Sequence, residues 1–195
     1  MIRFFDIIFS AFGLVVLAPV FAAICLKIKL GSKGGCFYIQ ERIGKDGKPF
    51  GLYKFRTMRI GADNEGLLTV GEHDQRITRI GYFLRKTKMD ELPQLLNVLK
   101  GEMSLVGPRP EVRKYVELYT EEQRKVLSVR PGITDYASIE YVKENELLSQ
   151  AEDPERTYIE QVMPDKIKLN MRYLEHYNLI EYFKIILLTF KSLVS

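Results

Sequence analysis

Apolar positions along this chain follow three regimes. Ile7 to Leu26 is a run of twenty residues without a charge, IIFSAFGLVVLAPVFAAICL. At about 1.5 Å per residue, a straight helix of that length covers a hydrocarbon layer about 30 Å thick. Alternation comes next. FYIQERIG and PFGLYKFRTM flank Lys45-Asp46-Gly47-Lys48, which predicts a hairpin over 37–58 turning at the Asp-Gly pair. In its second strand, alternation puts Lys54 and Arg56 on one face and Tyr53 and Phe55 on the other. Residues 60–73, with Gly61, Gly66 and Gly71 among polar side chains, predict a loop. Helical spacing then takes over. Ile77, Ile80, Phe83 and Leu84 predict one helix, with Arg85 and Lys86 in its last turn. Leu92, Leu95, Leu96 and Leu99 predict a second, stopped by Gly101. Pro93 belongs in a first turn, so that helix should start near Asp90, a good N-cap residue. Residues 140–165 are acidic and predict exposed helix and loop. From Pro164 the chain reads as helix again. Ile180, Phe183, Leu187, Phe190 and Val194 form an apolar stripe suited to a membrane interface or to the core.

The apolar N-terminus is a poor secretory signal: its basic region is only Met1-Ile2-Arg3, and Asp6 follows. A permanent anchor is the better reading. Its path has two solutions. Length favours spanning, whereas Pro19 removes a hydrogen bond and clashes with the preceding turn, which favours a bend at Ala18-Pro19 and return to the same face. Arg3 on one flank and Lys27, Lys29 and Lys33 on the other also suit re-entry, because a spanning helix carries its basic flank on one side. Either way, everything after Lys27 is expected in the cytoplasm. The chain thus divides into a membrane helix, 1–30, and a cytoplasmic domain, 31–195.

Net charge is only +4, which gives no case for nucleic-acid binding. Its distribution is more informative. From Lys27 to Arg59 nine basic residues stand against two acidic ones, so anionic lipid or phosphate is the natural partner of this collar. Cys25 and Cys36 lack metal-ligand spacing, and His73 and His176 are isolated.

Candidate chemistry gathers elsewhere. A carboxylate at a helix start is stabilised as the anion, and the same helix end attracts phosphate or a metal-bound phosphate. Asp90 and Glu91 are neighbours, so their side chains diverge by about 100° and suit two different roles. Lys54 and Arg56, side by side on a strand face, could hold a phosphate. In Gly107-Pro108-Arg109-Pro110 each proline restricts itself and its predecessor, which aims the Arg109 guanidinium from a stiff strut.

The stretch DQRITRIGYFLRKTKMDELPQLLNVLKGEMSLVGPRPE, from Asp74 to Glu111, closely resembles the bacterial sugar transferase family, the monotopic phosphoglycosyl transferases. ERIGKDGKPFGLYKFRTM, Arg-Pro-Gly-Ile-Thr, the Pro-x-Lys start of the last region and the proline-interrupted N-terminus resemble it too, in the same order. The resemblance implies a minimal, mostly helical α/β member with a re-entrant N-terminal helix, a small hairpin and an interfacial C-terminal helix. It implies transfer of a sugar 1-phosphate from a UDP-sugar to polyprenyl (undecaprenyl) phosphate at the inner membrane, releasing UMP, with Mg2+. Asp90 matches the family's nucleophile and has Glu91 beside it, both being candidate metal ligands. Lys54, Arg85 and Arg109 match basic motif positions and are carried over as phosphate ligands; Arg56 joins them from the strand pattern. One departure stands out. Many members have glycine after Pro-Gly-Ile-Thr, whereas this chain has Asp135 and then Tyr136. The rival reading is a non-catalytic scaffold binding anionic lipid.

Overall fold

In a computed structural model, residues 1–62 and 74–194 are described, with side chains through Ser192. Most of the loop expected over 60–73, His73 included, lies outside them. Helix α1 (Ile2–Gly31) runs without interruption and carries Pro19 inside it. The residues alone left spanning and a bend at Ala18-Pro19 both open, and the family resemblance implied the bend. A proline costs a helix one hydrogen bond and some bending, but an apolar segment can remain helical around it. Only 11% of the helix's most apolar window is buried, so α1 is no core helix. Phe4, Phe12, Val15, Val16, Leu26 and Leu30 are all exposed.

Both ends of α1 are tied to the same body. Near its start, Arg3 donates to the Val98 and Leu99 carbonyls, satisfying the end of another helix (Nη2 to Leu99, 3.0 Å). Asp6 is 1% exposed and accepts from Ser104 Oγ (2.9 Å), Leu105 N–H (2.9 Å) and Tyr182 Oη (3.0 Å). At the other end Ile24 and Ile28 pack with Phe55 and Leu84.

The hairpin forms as expected from β1 (Phe37–Ile43) and β2 (Pro49–Phe55), antiparallel with Phe37 opposite Phe55 and Ile43 opposite Pro49. Asp46 and Gly47 both take positive φ in the turn, 57° and 72°, which explains that dipeptide. Helix α2 (Arg79–Lys86) is capped by Thr78, whose hydroxyl accepts from Gly81 N–H at 3.0 Å. Helix α3 (Gln94–Lys100) ends on Gly101 at φ 86°, again as expected.

Strand β3 (Ser104–Val106) pairs in parallel with β4 (Gly132–Thr134). Where the strut after β3 crosses the Arg130-Pro131-Gly132 turn, backbones touch. A Cβ on Gly132 would lie 2.1 Å from Gly107 N, and one on Gly107 would lie 2.4 Å from Arg130 O. Two glycines are the condition for that approach. Short helices α4 (Arg113–Val116), α5 (Tyr136–Glu140), α6 (Glu144–Ser149) and α7 (Pro154–Thr157) lead to α8 (Met163–Glu175) and α9 (Leu179–Val194). Residues 140–165 are less exposed than their acidity suggests: Leu148, Tyr158 and Val162 join a core with Tyr115, Val116 and Ile167. On α9, Tyr182 and Ile185 are fully buried, while Ile180, Leu187 and Phe190 of the expected stripe face outward.

Candidate active site

A single open cleft of about 1130 Å³ is lined by Lys54, Arg56, Arg85, Asp90, Glu91 and Arg109, among others. Four separate pieces of chain converge there. Lys54 comes from the end of β2, Arg56 from just beyond it, and Arg85 from the last turn of α2. Asp90 and Glu91 come from a 3-10 turn, Met89–Glu91, and Arg109 from the strut after β3.

That turn corrects one expectation. Asp90 is not an N-cap: α3 starts after Pro93, and no side chain caps it. The two acids sit a turn earlier, behind Lys88, which adopts a left-handed φ of 56°. Such a conformation is costly for a non-glycine residue and is commonly held by its surroundings at functional sites. Pro93 occupies the N-cap position of α3, where its missing N–H costs no helical hydrogen bond.

The neighbouring carboxyls do diverge, into opposite electrostatic states. Asp90 is buried, and burial together with the Glu91 charge raises its carboxyl above the usual aspartate range, against the pull of Lys54, Arg85 and Lys88. Burial would raise Glu91 as well. There the Arg109 guanidinium and Lys54 outweigh it, holding Glu91 ionised well below the ordinary carboxylate range. Arg109 grips Glu91 with both arms of its fork, Nη1 to Oε2 at 3.1 Å and Nη2 to Oε1. Lys54 Nζ stands 3.8 Å from the same Oε1. Burial pushes the Lys54 ammonium down to about 8, with Arg109 and Arg42 adding to the effect and Glu91 opposing it. Arg85 is likewise lowered by burial, against the attraction of Asp90, Asp74 and Glu91.

Arg56 is placed differently from Lys54. Its Nη2 donates to Ser32 O (3.1 Å) and Ser32 Oγ (2.9 Å), and its Nη1 to Lys33 O. The guanidinium therefore closes off the end of α1, although the residue borders the cleft. Pairing by strand alternation missed this because β2 ends at Phe55. Lys88 and Arg42 also line the cleft without having been singled out. Arg42 donates to Pro110 O at 3.0 Å and so steadies the strut. Its signal in the sequence was only membership of the basic collar.

Among the described residues, no three His, Cys, Asp or Glu side chains form a metal-binding group. Asp90 and Glu91 fit a cation held jointly by protein carboxylates and a bound phosphate, which is the usual way magnesium is bound.

The family model for bacterial sugar transferases matches residues 1–195, the full length of this sequence. The chain belongs to that family. A Bacillus subtilis protein, provisionally named an undecaprenyl-phosphate N-acetylgalactosaminyl 1-phosphate transferase, is 48% identical over 120 residues, covering 62% of this chain and 67% of its own. The UDP-glucose:undecaprenyl-phosphate glucose-1-phosphate transferase of Escherichia coli is 34% identical over 194 residues, covering 97% of this chain but 39% of its own. A Caulobacter vibrioides protein of the same name is 34% identical over 196 residues, covering 99% of this chain and 69% of its own. The family's matched core is thus this whole chain, and the E. coli relative is much longer than it.

Proposed function

We propose that this protein transfers a sugar 1-phosphate from a UDP-sugar to a polyprenyl phosphate, through a covalent phosphosugar on Asp90. The observation that carries this reading is one buried carboxyl, Asp90, beside a second held ionised, Glu91, in a cleft bordered by Lys54, Arg85 and Arg109. An Asp90 oxygen attacks the sugar-bearing phosphorus of the donor. The O–P bond forms as the bridging P–O bond breaks, and the electron pair leaves on UMP. An acceptor phosphate oxygen then attacks the same phosphorus and releases the Asp90 carboxylate. Two substrates from different phases thereby react in turn.

Negative charge meets negative charge in both steps, so cations must surround them. Lys54, Arg85 and Arg109 supply fixed ones. Arg109 uses two of its N–H groups on Glu91, and the fork geometry leaves others for a phosphate. Asp90 and Glu91 would hold Mg2+ together with the donor's phosphates, where it would neutralise developing charge.

The membrane reading belongs with this function. Tethering of both ends of α1 to one body supports a helix whose two ends lie on one face of the membrane, with the cleft facing the cytoplasm. Relatives named for undecaprenyl phosphate support a lipid acceptor.

Incubation with a UDP-sugar and Mg2+, without acceptor, should release UMP and add one sugar phosphate to a peptide containing Asp90. Asp90→Asn should lose both the adduct and turnover. Normal turnover in that variant would rule out the covalent route, and an inert wild-type protein across a UDP-sugar panel would favour a lipid-binding scaffold.

A further inference from the structure

The strut that carries Arg109 has a single backbone donor. Pro108 and Pro110 have no N–H, so Arg109 N–H is the one amide in that tripeptide. It donates to Asp135 Oδ2 at 2.9 Å. Asp135 is the residue that stands where many family members have glycine, and it is 1% exposed. Its other partners come from two more elements. Oδ1 accepts from Ser138 N–H, capping α5, and Oδ2 also accepts from Asn170 Nδ2 of α8 at 2.9 Å. Asn170 is itself buried.

We infer that Asp135 is a positioning residue for the transfer step, acting through Arg109, and this rests on the function proposed above. Prolines fix the shape of the strut but not its place. Asp135 fixes its place, by binding the strut's only amide to the start of α5 and to α8. From the far side, the Arg109 fork reaches Glu91, which is 18 residues away in sequence. Arg109 is therefore held at both its backbone and its tip. Without the carboxylate, the guanidinium loses its fixed distance to Glu91 and to any phosphate beside it. A misplacement of an ångström is enough to cost a large factor in rate.

Asparagine keeps only half of this carboxylate. Three donors converge on the carboxylate's two oxygens, and an amide with its oxygen towards the strut keeps the Arg109 bond while turning the other acceptor into a fourth donor. Serine is the sharper test, because it keeps an oxygen to cap α5 but cannot span to the strut. Asp135→Ser should therefore lower single-turnover UMP release by about tenfold or more. In an Arg109→Lys background the same change should cost about twofold or less, since the residue through which Asp135 acts is already compromised. Amide hydrogen exchange in detergent gives a readout independent of activity. Exchange at Arg109, the sole amide of the strut, should accelerate at least about tenfold in Asp135→Ser. If Asp135→Ser does not fold, Asp135→Thr keeps the same cap with the same lost reach, and should show the same pair of effects. Equal losses in both Arg109 backgrounds, or unchanged exchange at Arg109, would overturn the inference. Absence of UMP release from the wild-type protein would instead refute the proposed function while leaving the exchange result intact.

Discussion

Asp90 and Lys54 are displaced from their ordinary ionisation in opposite directions, and burial is the leading cause of both shifts. A nucleophilic carboxylate must be ionised, so the first half-reaction should fail at low pH. Because Asp90 is raised, that loss should begin at higher pH than for an ordinary aspartate. Glu91→Gln removes a neighbouring negative charge and lets Lys54 and Arg109 act on Asp90 alone, so the acid limb should move to lower pH. Lys54 sets the other limb. It is protonated below about 8 and neutral above, so UMP release should fall as pH rises through that value. Lys54→Arg keeps the charge at all working pH and should remove this limb. Single-turnover rates of UMP release without acceptor, taken at subsaturating donor across pH, report groups of the free enzyme and test both changes. An alkaline limb that persists in Lys54→Arg would assign it to another group.

Helix α3 illustrates how an element's role can differ from its pattern. The leucine repeat identified the helix, but Gln94, Asn97 and Val98 are its most buried positions. Leucines are only half-buried, and Leu95 turns towards Gly13 of α1. Asn97 does what a neighbouring strand would do for β2. Its Oδ1 accepts from Tyr53 N–H at 3.0 Å, and its Nδ2 donates to Gly51 O at 2.7 Å and to Glu102 Oε2 at 2.8 Å. Asn97→Ala should therefore cost about 2–4 kcal/mol, more than its lost volume, because buried backbone groups lose their partners. Chemical denaturation in detergent measures this; a loss below about 1 kcal/mol would show that water replaces the side chain. On α1, Pro19→Leu restores a helical hydrogen bond and removes a proline cost of about 3 kcal/mol. It should shift the helix towards a spanning form.

At the scale of the molecule, the membrane helix and the catalytic body are stitched together through buried polar contacts. Asp6 joins α1, β3 and α9 at one carboxylate. Arg56, just past the strand that supplies Lys54, closes the other end of α1. On the proposed re-entrant path, both ends of α1 lie on the cytoplasmic side. Cysteines placed singly after Met1 and at Lys33, in a background lacking Cys25 and Cys36, should both resist an impermeant thiol reagent in intact cells. Both should react after permeabilisation. Labelling after Met1 alone, in intact cells, would establish a spanning helix.

Local chemistry in the sequence determined much of this protein. The uncharged run, the Asp-Gly turn, the capped helix α2, the stop at Gly101 and the strut around Arg109 all follow from backbone preference and periodicity, which act within a few residues. The acids, Lys54 and Arg109 were legible as chemistry-bearing positions for the same reason, whereas Arg85 gained its role only from the resemblance of its motif to the family. Only tertiary structure decided which cations meet which carboxylates. Glu91 and Arg109 are paired across two elements, Arg56 turns to the end of α1, and Asp135 changes from an odd residue in a loop into the holder of the strut. Burial supplied the rest. It raises Asp90 and lowers Lys54 through desolvation, an effect that depends on everything packed around a group and so has no signature in the residues beside it.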